Sequence, residues 1–205
     1  IKYHNKNNIG NKDKLLSNSN KKTGNYSKKL NLSCLLNSNN INNSDDDRLA
    51  AYGQLDSELP ERVFIYGETG RKSGGVFKPH KTHRNGLSVD FMVPMLDEEH
   101  QSIPLPSSVL NKWGYGLEFD ADGSLDDLSI DFEAIAEHLY QLNVVAEQRG
   151  LGIWRVIFDP QLQPYLQTSR RWKYLEENLQ FSTRPSWVRH DEHYHVDFNV
   201  PCEQL

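Results

Sequence analysis

Eight histidines occur in the chain, and five of them fall in two short clusters. His80 and His83 sit in "HKTHRNGLSVD" with Asp90 downstream, and His190, His193 and His195 sit in "RHDEHYHVDF". Imidazole both ligates metals and exchanges protons near neutral pH, so such clusters point to metal-assisted chemistry. On a strand, residues two apart project from one face roughly 6 to 7 Å apart. His193 and His195 therefore point together, away from the face carrying Tyr194, Val196, Phe198 and Val200. One imidazole can then bind a metal while the other stands over a water. His83 precedes a turn at Gly86, and Asp90 follows on the polar face of a strand. If the two strands are neighbours, His83, Asp90 and His195 converge on one ion. Two nitrogens and one carboxylate oxygen leave an open fourth position, the pattern of a catalytic zinc site. A set dominated by imidazole favours zinc over magnesium or calcium. Cys34 and Cys202 form no CxxC and no cysteine metal site; in an oxidising compartment they can pair, and elsewhere they stay as thiols.

These side chains need elements to hold them. "RVFIYGETG" is a β-rich run stopped by glycines, and "RKSGGVFKPH" reads as an extended, turning loop. "LSVDFMVP" alternates, with Val89, Phe91 and Val93 facing one way and Asp90 and Met92 the other; Asp90 is expected on the open face. Pro94, Pro104 and Pro106 make residues 95–123 a long connection without regular elements, of the kind that frames a binding site. Phe132, Ile135, Ala136, Leu139, Leu142 and Val145 recur at helical spacing, and Gly150 is the expected stop. His138 is expected on that helix's exposed flank, with no chemical role. "IWRVIFDP" is a further strand, "RRWKYLEENL" a short helix, and "HYHVDFNVP" a final alternating strand. This order implies an α+β domain: an antiparallel sheet carrying the zinc site, helices packed on one side, and long connecting loops.

Charge divides the chain. Residues 1–44 hold eight lysines against one aspartate, and 13 asparagines against five in all that follows. A segment so poor in large apolar side chains does not offset its ordering entropy by burial, so 1–44 is expected to be a flexible Asn/Lys-rich segment before a domain over 45–205. With a net charge of -5 there is no overall argument for a nucleic-acid partner. No run approaches the roughly 18 to 20 apolar residues needed to span a membrane. No run reads as a signal peptide, "LSCLL" being too short and interrupted.

The H-x-x-G-x-x-x-D of His83, Gly86 and Asp90, with the H-x-H of His193 and His195, resembles the zinc peptidase group of lysostaphin, the D-Ala-D-Ala metallopeptidases and the hedgehog signalling domain. Within it, "GGVFKPHKTHRNGLSVD", "VIFDP" and "RPSWVRHDEHYHV" are most similar to penicillin-insensitive murein endopeptidase, over roughly residues 63 to 202. The resemblance implies a zinc endopeptidase of the cell envelope, most of all the periplasm, acting on peptidoglycan stem peptides at the D-alanyl to meso-diaminopimelate cross-link. It implies His83, Asp90 and His195 as zinc ligands, His80 as a further metal-site residue, His193 as the group that orients or deprotonates the attacking water, and His190 as its helper in the same pocket; in the mechanism this suggests, a protonated His190 is expected to assist at the oxyanion. A second metal position in the family would use Asp122 and a histidine where this chain has Leu125. Ser88 stands where the family often has an acidic residue.

Two choices stay open. In the dipeptidase branch the base is a glutamate three residues before the last zinc histidine, here Glu192. Strand parity puts Glu192 opposite His195 if the strand has begun, whereas a strand starting at His193 leaves the choice undecided. The alternatives in function are a D-Ala-D-Ala dipeptidase or carboxypeptidase, and a non-catalytic zinc-braced binding module. Trp113, Tyr115 and Trp187 flank the clusters and can pack in the core or touch substrate, and Arg184 and Arg189 can meet a carboxylate.

Overall fold

The computed structural model describes residues 2–5, 53–69, 75–78, 80, 82–84, 86–186 and 188–199. Two sheets and a few helices make an α+β domain. The larger sheet runs in the order β1 (Lys2–Asn5), β2 (Val63–Tyr66), β3 (Ser88–Met92), β9 (His193–Asn199), β8 (Gly152–Ile157). Its pairings are antiparallel except that β1 lies parallel to β2. Apart from this strand, the Asn/Lys-rich segment lies outside the described residues, as do Cys34 and Cys202.

The segment expected to be one irregular connection contains short strands. β4 (Met95–Leu96), β5 (Ser102–Ile103), β6 (Ser124–Leu125) and β7 (Leu128–Ile130) form a second antiparallel sheet in the order β5-β4-β7-β6. Each has two or three residues, too few to carry a readable alternation. A helical segment over 53–58, also not foreseen, buries Leu55 beside Phe64 and Ala134.

Helix α1 (Phe132–Gln148) follows the expected periodicity. The Asp131 side chain caps it by accepting from the Ala134 backbone N–H at 3.0 Å, and Gly150 ends it with a φ of +70° that a Cβ would strain. α1 buries Ile135, Ala136 and Leu139 against Val89, Phe91, Tyr194 and Val196 of the larger sheet. α2 (Trp172–Asn178) packs on α1, where Tyr140 meets Tyr174 edge to face and Glu137 holds Arg171 at 2.7 Å. The long helix thus covers the apolar face of β3 and β9, as the alternation required.

Two placements differ from expectation. His138 is not on an exposed flank: it is 1% exposed, its ring edge meets Phe91, and its Nδ1 shares a 2.5 Å hydrogen bond with the Tyr194 hydroxyl. A histidine interrupting an apolar stripe read as surface, but the tyrosine on β9 supplies the polar partner that lets it be buried. Asp90 is not on an open face either, since all five residues of β3 are buried. Loops close over that side of the sheet, and beneath them lies the histidine cluster.

Candidate metal centre

Register brings the two motifs together. β3 and β9 pair so that Asp90 stands directly opposite His195, Val89 opposite Val196 and Phe91 opposite Tyr194. Cross-strand partners have Cβ atoms about 4.5 to 5.5 Å apart, so the carboxylate and the imidazole meet on the face away from α1. His195 Nδ1 lies 2.8 Å from Asp90 Oδ1. His83 arrives from the loop that turns at Gly86, whose φ of +77° belongs to the left-handed region glycine tolerates. Its Nε2 lies 3.1 Å from the same Oδ1.

His83, Asp90 and His195 each offer a ligand atom, all within 4.8 Å of one another, and all three residues are buried. This His-Asp-His group could bind a metal ion. Two features fit that use. Neither ring nitrogen of buried His83 makes a hydrogen bond of acceptable geometry among the described residues. Two imidazole nitrogens also converge on one carboxylate oxygen, which brings candidate ligand atoms from three residues to one point.

The neighbours tune the group. Burial alone would raise the Asp90 carboxyl, but the positive charge of a protonated His193, the hydrogen bond from His195 and the nearby His83 imidazole outweigh it and hold it well below its usual range. His195, though disfavoured as a cation by burial, is pushed up to about 9 by hydrogen bonds to Asp197 and Asp90. The Tyr115 hydroxyl donates to Asp90 Oδ2 at 2.9 Å. Burial, then the charges of Asp90 and Glu68, raise that phenol well above its usual range, so it stays a donor. Of the aromatics flanking the clusters, Tyr115 therefore reaches the site, while Trp187 lies outside the described residues.

His193 also faces the group, its Nε2 3.9 Å from Asp90 Oδ2 and its ring edge against Tyr115. β9 begins at His193, so strand parity does not remove Glu192. The two rival bases are in fact partners. Glu192 Oε1 lies 3.0 Å from His193 Nδ1, and burial pushes the Glu192 carboxyl up to about 7. Of the two, only His193 turns a second atom toward the ligand cluster.

The His190 ring lies tilted against His193 with centroids 4.4 Å apart, but its expected protonated state does not match its surroundings. Burial first, and the charge of His193 second, push it down to about 4. Its Nδ1–H donates to the Val188 carbonyl at 2.8 Å, which leaves Nε2 as an acceptor. At neutral pH it is an uncharged acceptor rather than a donor for an oxyanion. His80 stays beside the cluster, edge-on to His83 at 5.0 Å, and bonds Glu68 Oε2 at 2.8 Å instead of joining the converging atoms. Asp122, the second-metal position implied by the resemblance, is exposed and accepts from Ser124.

Arg189 is committed to structure. Its guanidinium reaches Asp159 at 2.8 Å, Glu118 and Asp191 at 3.2 Å and the Phe119 carbonyl at 2.9 Å, tying the long connection to the segment leading into β9. Asp197 belongs to neither histidine motif, yet the alternation that pairs His193 with His195 continues to it. It is buried, and its Oδ1 lies 2.8 Å from His195 Nε2. No family model matches the chain, and no curated protein matches it.

Proposed function

We propose that the chain is a zinc-dependent endopeptidase that hydrolyses peptide cross-links of peptidoglycan, of the D-alanyl to meso-diaminopimelate type, in the cell envelope. The observation that carries the reading is a buried three-residue donor set, His83, Asp90 and His195, with a further imidazole, His193, facing it from the same strand. A purely structural site usually fills its fourth position with protein and has no use for a spare base. The choice of zinc rests on the donor types, and the choice of substrate on the motif resemblance.

His83, Asp90 and His195 would hold the zinc. When bound there, zinc supplies a Lewis acid for the scissile carbonyl and acidity for an attacking water. His193 takes the water's proton at Nε2. Glu192 accepts from its Nδ1–H, which fixes the tautomer that leaves Nε2 basic and turned to the reacting atoms. His190, neutral and tilted against the His193 ring, lines the pocket with a second acceptor. Tyr115 holds the outer oxygen of Asp90, so that its other oxygen remains directed at the two histidines.

Digestion of purified cross-linked muropeptides, with and without chelator and followed by mass analysis, tests this function. The expected result is conversion of dimers to monomers that chelator abolishes and added zinc restores. Intact dimers in the presence of zinc-loaded protein would rule out this substrate. Release of only a terminal D-alanine would instead move the assignment to carboxypeptidase.

A further inference from the structure

His195 is held at both ring nitrogens, and the second hold is elaborate. Asp197 is its neighbour two residues on along β9, on the same face of the strand. Register sets Ser88 of β3 on one side of Asp197 and Arg155 of β8 on the other. All three side chains meet. The Ser88 hydroxyl donates to Asp197 Oδ1 at 2.6 Å, while Arg155 Nε and Nη2 donate to Oδ2 at 3.0 and 2.5 Å. Guanidinium has no acceptor, so Asp197 receives every one of these bonds. Its contact with His195 Nε2, at 2.8 Å, is then one more bond received, with the proton on Nε2.

We infer that Asp197, braced by Ser88 and Arg155, is a positioning residue that fixes His195 in the Nε2–H tautomer and so commits Nδ1 to the metal. The inference rests on the proposed metal reading and adds which nitrogen binds and what decides it. A histidine on a β-strand can offer either ring nitrogen to an ion. Here Nδ1 faces Asp90, and Nε2 is occupied by Asp197, itself held by a side chain from each neighbouring strand. A carboxylate behind a ligating imidazole orients the ring and raises its basicity, and losing such a partner typically weakens metal binding about 10- to 100-fold. Ser88 gains a reason as well: where the resemblance leads one to expect an acidic residue, a hydroxyl avoids a second buried carboxylate 2.6 Å from the first.

Two measurements on the full chain test this. Zinc affinity is determined by competition with a chromogenic chelator for wild type, Asp197→Asn, Asp197→Ala and Ser88→Ala, each checked for folding by circular dichroism. Long-range proton–nitrogen NMR of the zinc-loaded, 15N-histidine-labelled protein reads the His195 tautomer. Expected are a wild-type His195 protonated at Nε2 with zinc on Nδ1, about 10-fold or greater loss of affinity in both Asp197 variants, and a smaller loss in Ser88→Ala. A wild-type His195 bound to zinc through Nε2 overturns the inference, and that spectrum decides even if the Asp197 variants do not fold. Folded Asp197 variants with wild-type affinity and an unchanged spectrum overturn it while leaving the metal centre standing. A wild-type protein that binds no zinc overturns both.

Discussion

His195 stands between two carboxylates, so under the proposed metal reading its proton and a zinc ion compete for the same nitrogen. Its pKa, raised from 6.5 to about 9, means the folded protein holds that proton across neutral pH. Zinc binding must displace it, and apparent affinity should rise about tenfold per pH unit between pH 6.5 and 9, then level off; affinity flat over that range in chelator competition would contradict the arrangement. The same shift gives the metal-free fold a contribution that is complete below pH 6.5 and lost as pH rises through about 9. Removing a proposed ligand is more severe than changing its environment. His83→Ala and Asp90→Ala should each lose more than the 100-fold or so typical of an outer partner, whereas His80→Ala, whose ring bonds Glu68 and stands outside the converging atoms, should stay within about tenfold of wild type. For the proposed base, His193→Ala at full zinc occupancy should lower turnover about 10²- to 10⁴-fold. Glu192→Gln keeps an acceptor for Nδ1–H and should lose less than about tenfold; the reverse ranking would make Glu192 the base.

Strand β9 serves two purposes through its alternation. Tyr194 and Val196 anchor one face against α1, and His193, His195 and Asp197 present the other to the site. Stability and chemistry are therefore separable by face. Leu139→Ala, on the buried stripe of α1, should cost about 2 to 5 kcal/mol in denaturant unfolding and leave zinc affinity within error. Its effect on affinity would show that the faces are coupled. His138 adds a pH signature on the same side. Burial pushes it down to about 3, so the unfolded chain takes up a proton that the folded chain refuses. Its contribution is present above pH 6.5 and lost as pH falls toward 3, and His190, held at about 4, acts in the same direction. Thermal midpoints should fall from pH 7 to pH 4, and His138→Gln should flatten that fall in part. At this scale α1 and β9 were legible because 17 and seven residues suffice to display a period. The second sheet was not, because no strand in it exceeds three residues.

A metal held only by the folded arrangement stabilises the whole domain. With free zinc at about 100 times its dissociation constant the gain is roughly 2.7 kcal/mol, which for a domain of this size raises the melting temperature by about 5 to 10 °C. Chelator should remove that increment and added zinc should return it; an unchanged melting temperature would argue against a resident ion. The two parts of the chain also differ in kind, since the lysine-rich first 44 residues oppose an acidic remainder, and within them β1 lies one strand away from β3. By itself the sequence determined the donor types, the strand parity that turns His193 and His195 the same way, and the turn at Gly86, because each depends on chemistry or on a period of a few residues. Only the tertiary structure decided that Asp90 pairs with His195, that Tyr115 and Asp197 hold these two side chains from outside, that Glu192 bonds His193, and that burial pushes His190 down. Those facts depend on register between strands more than 100 residues apart and on burial, which a local pattern does not encode.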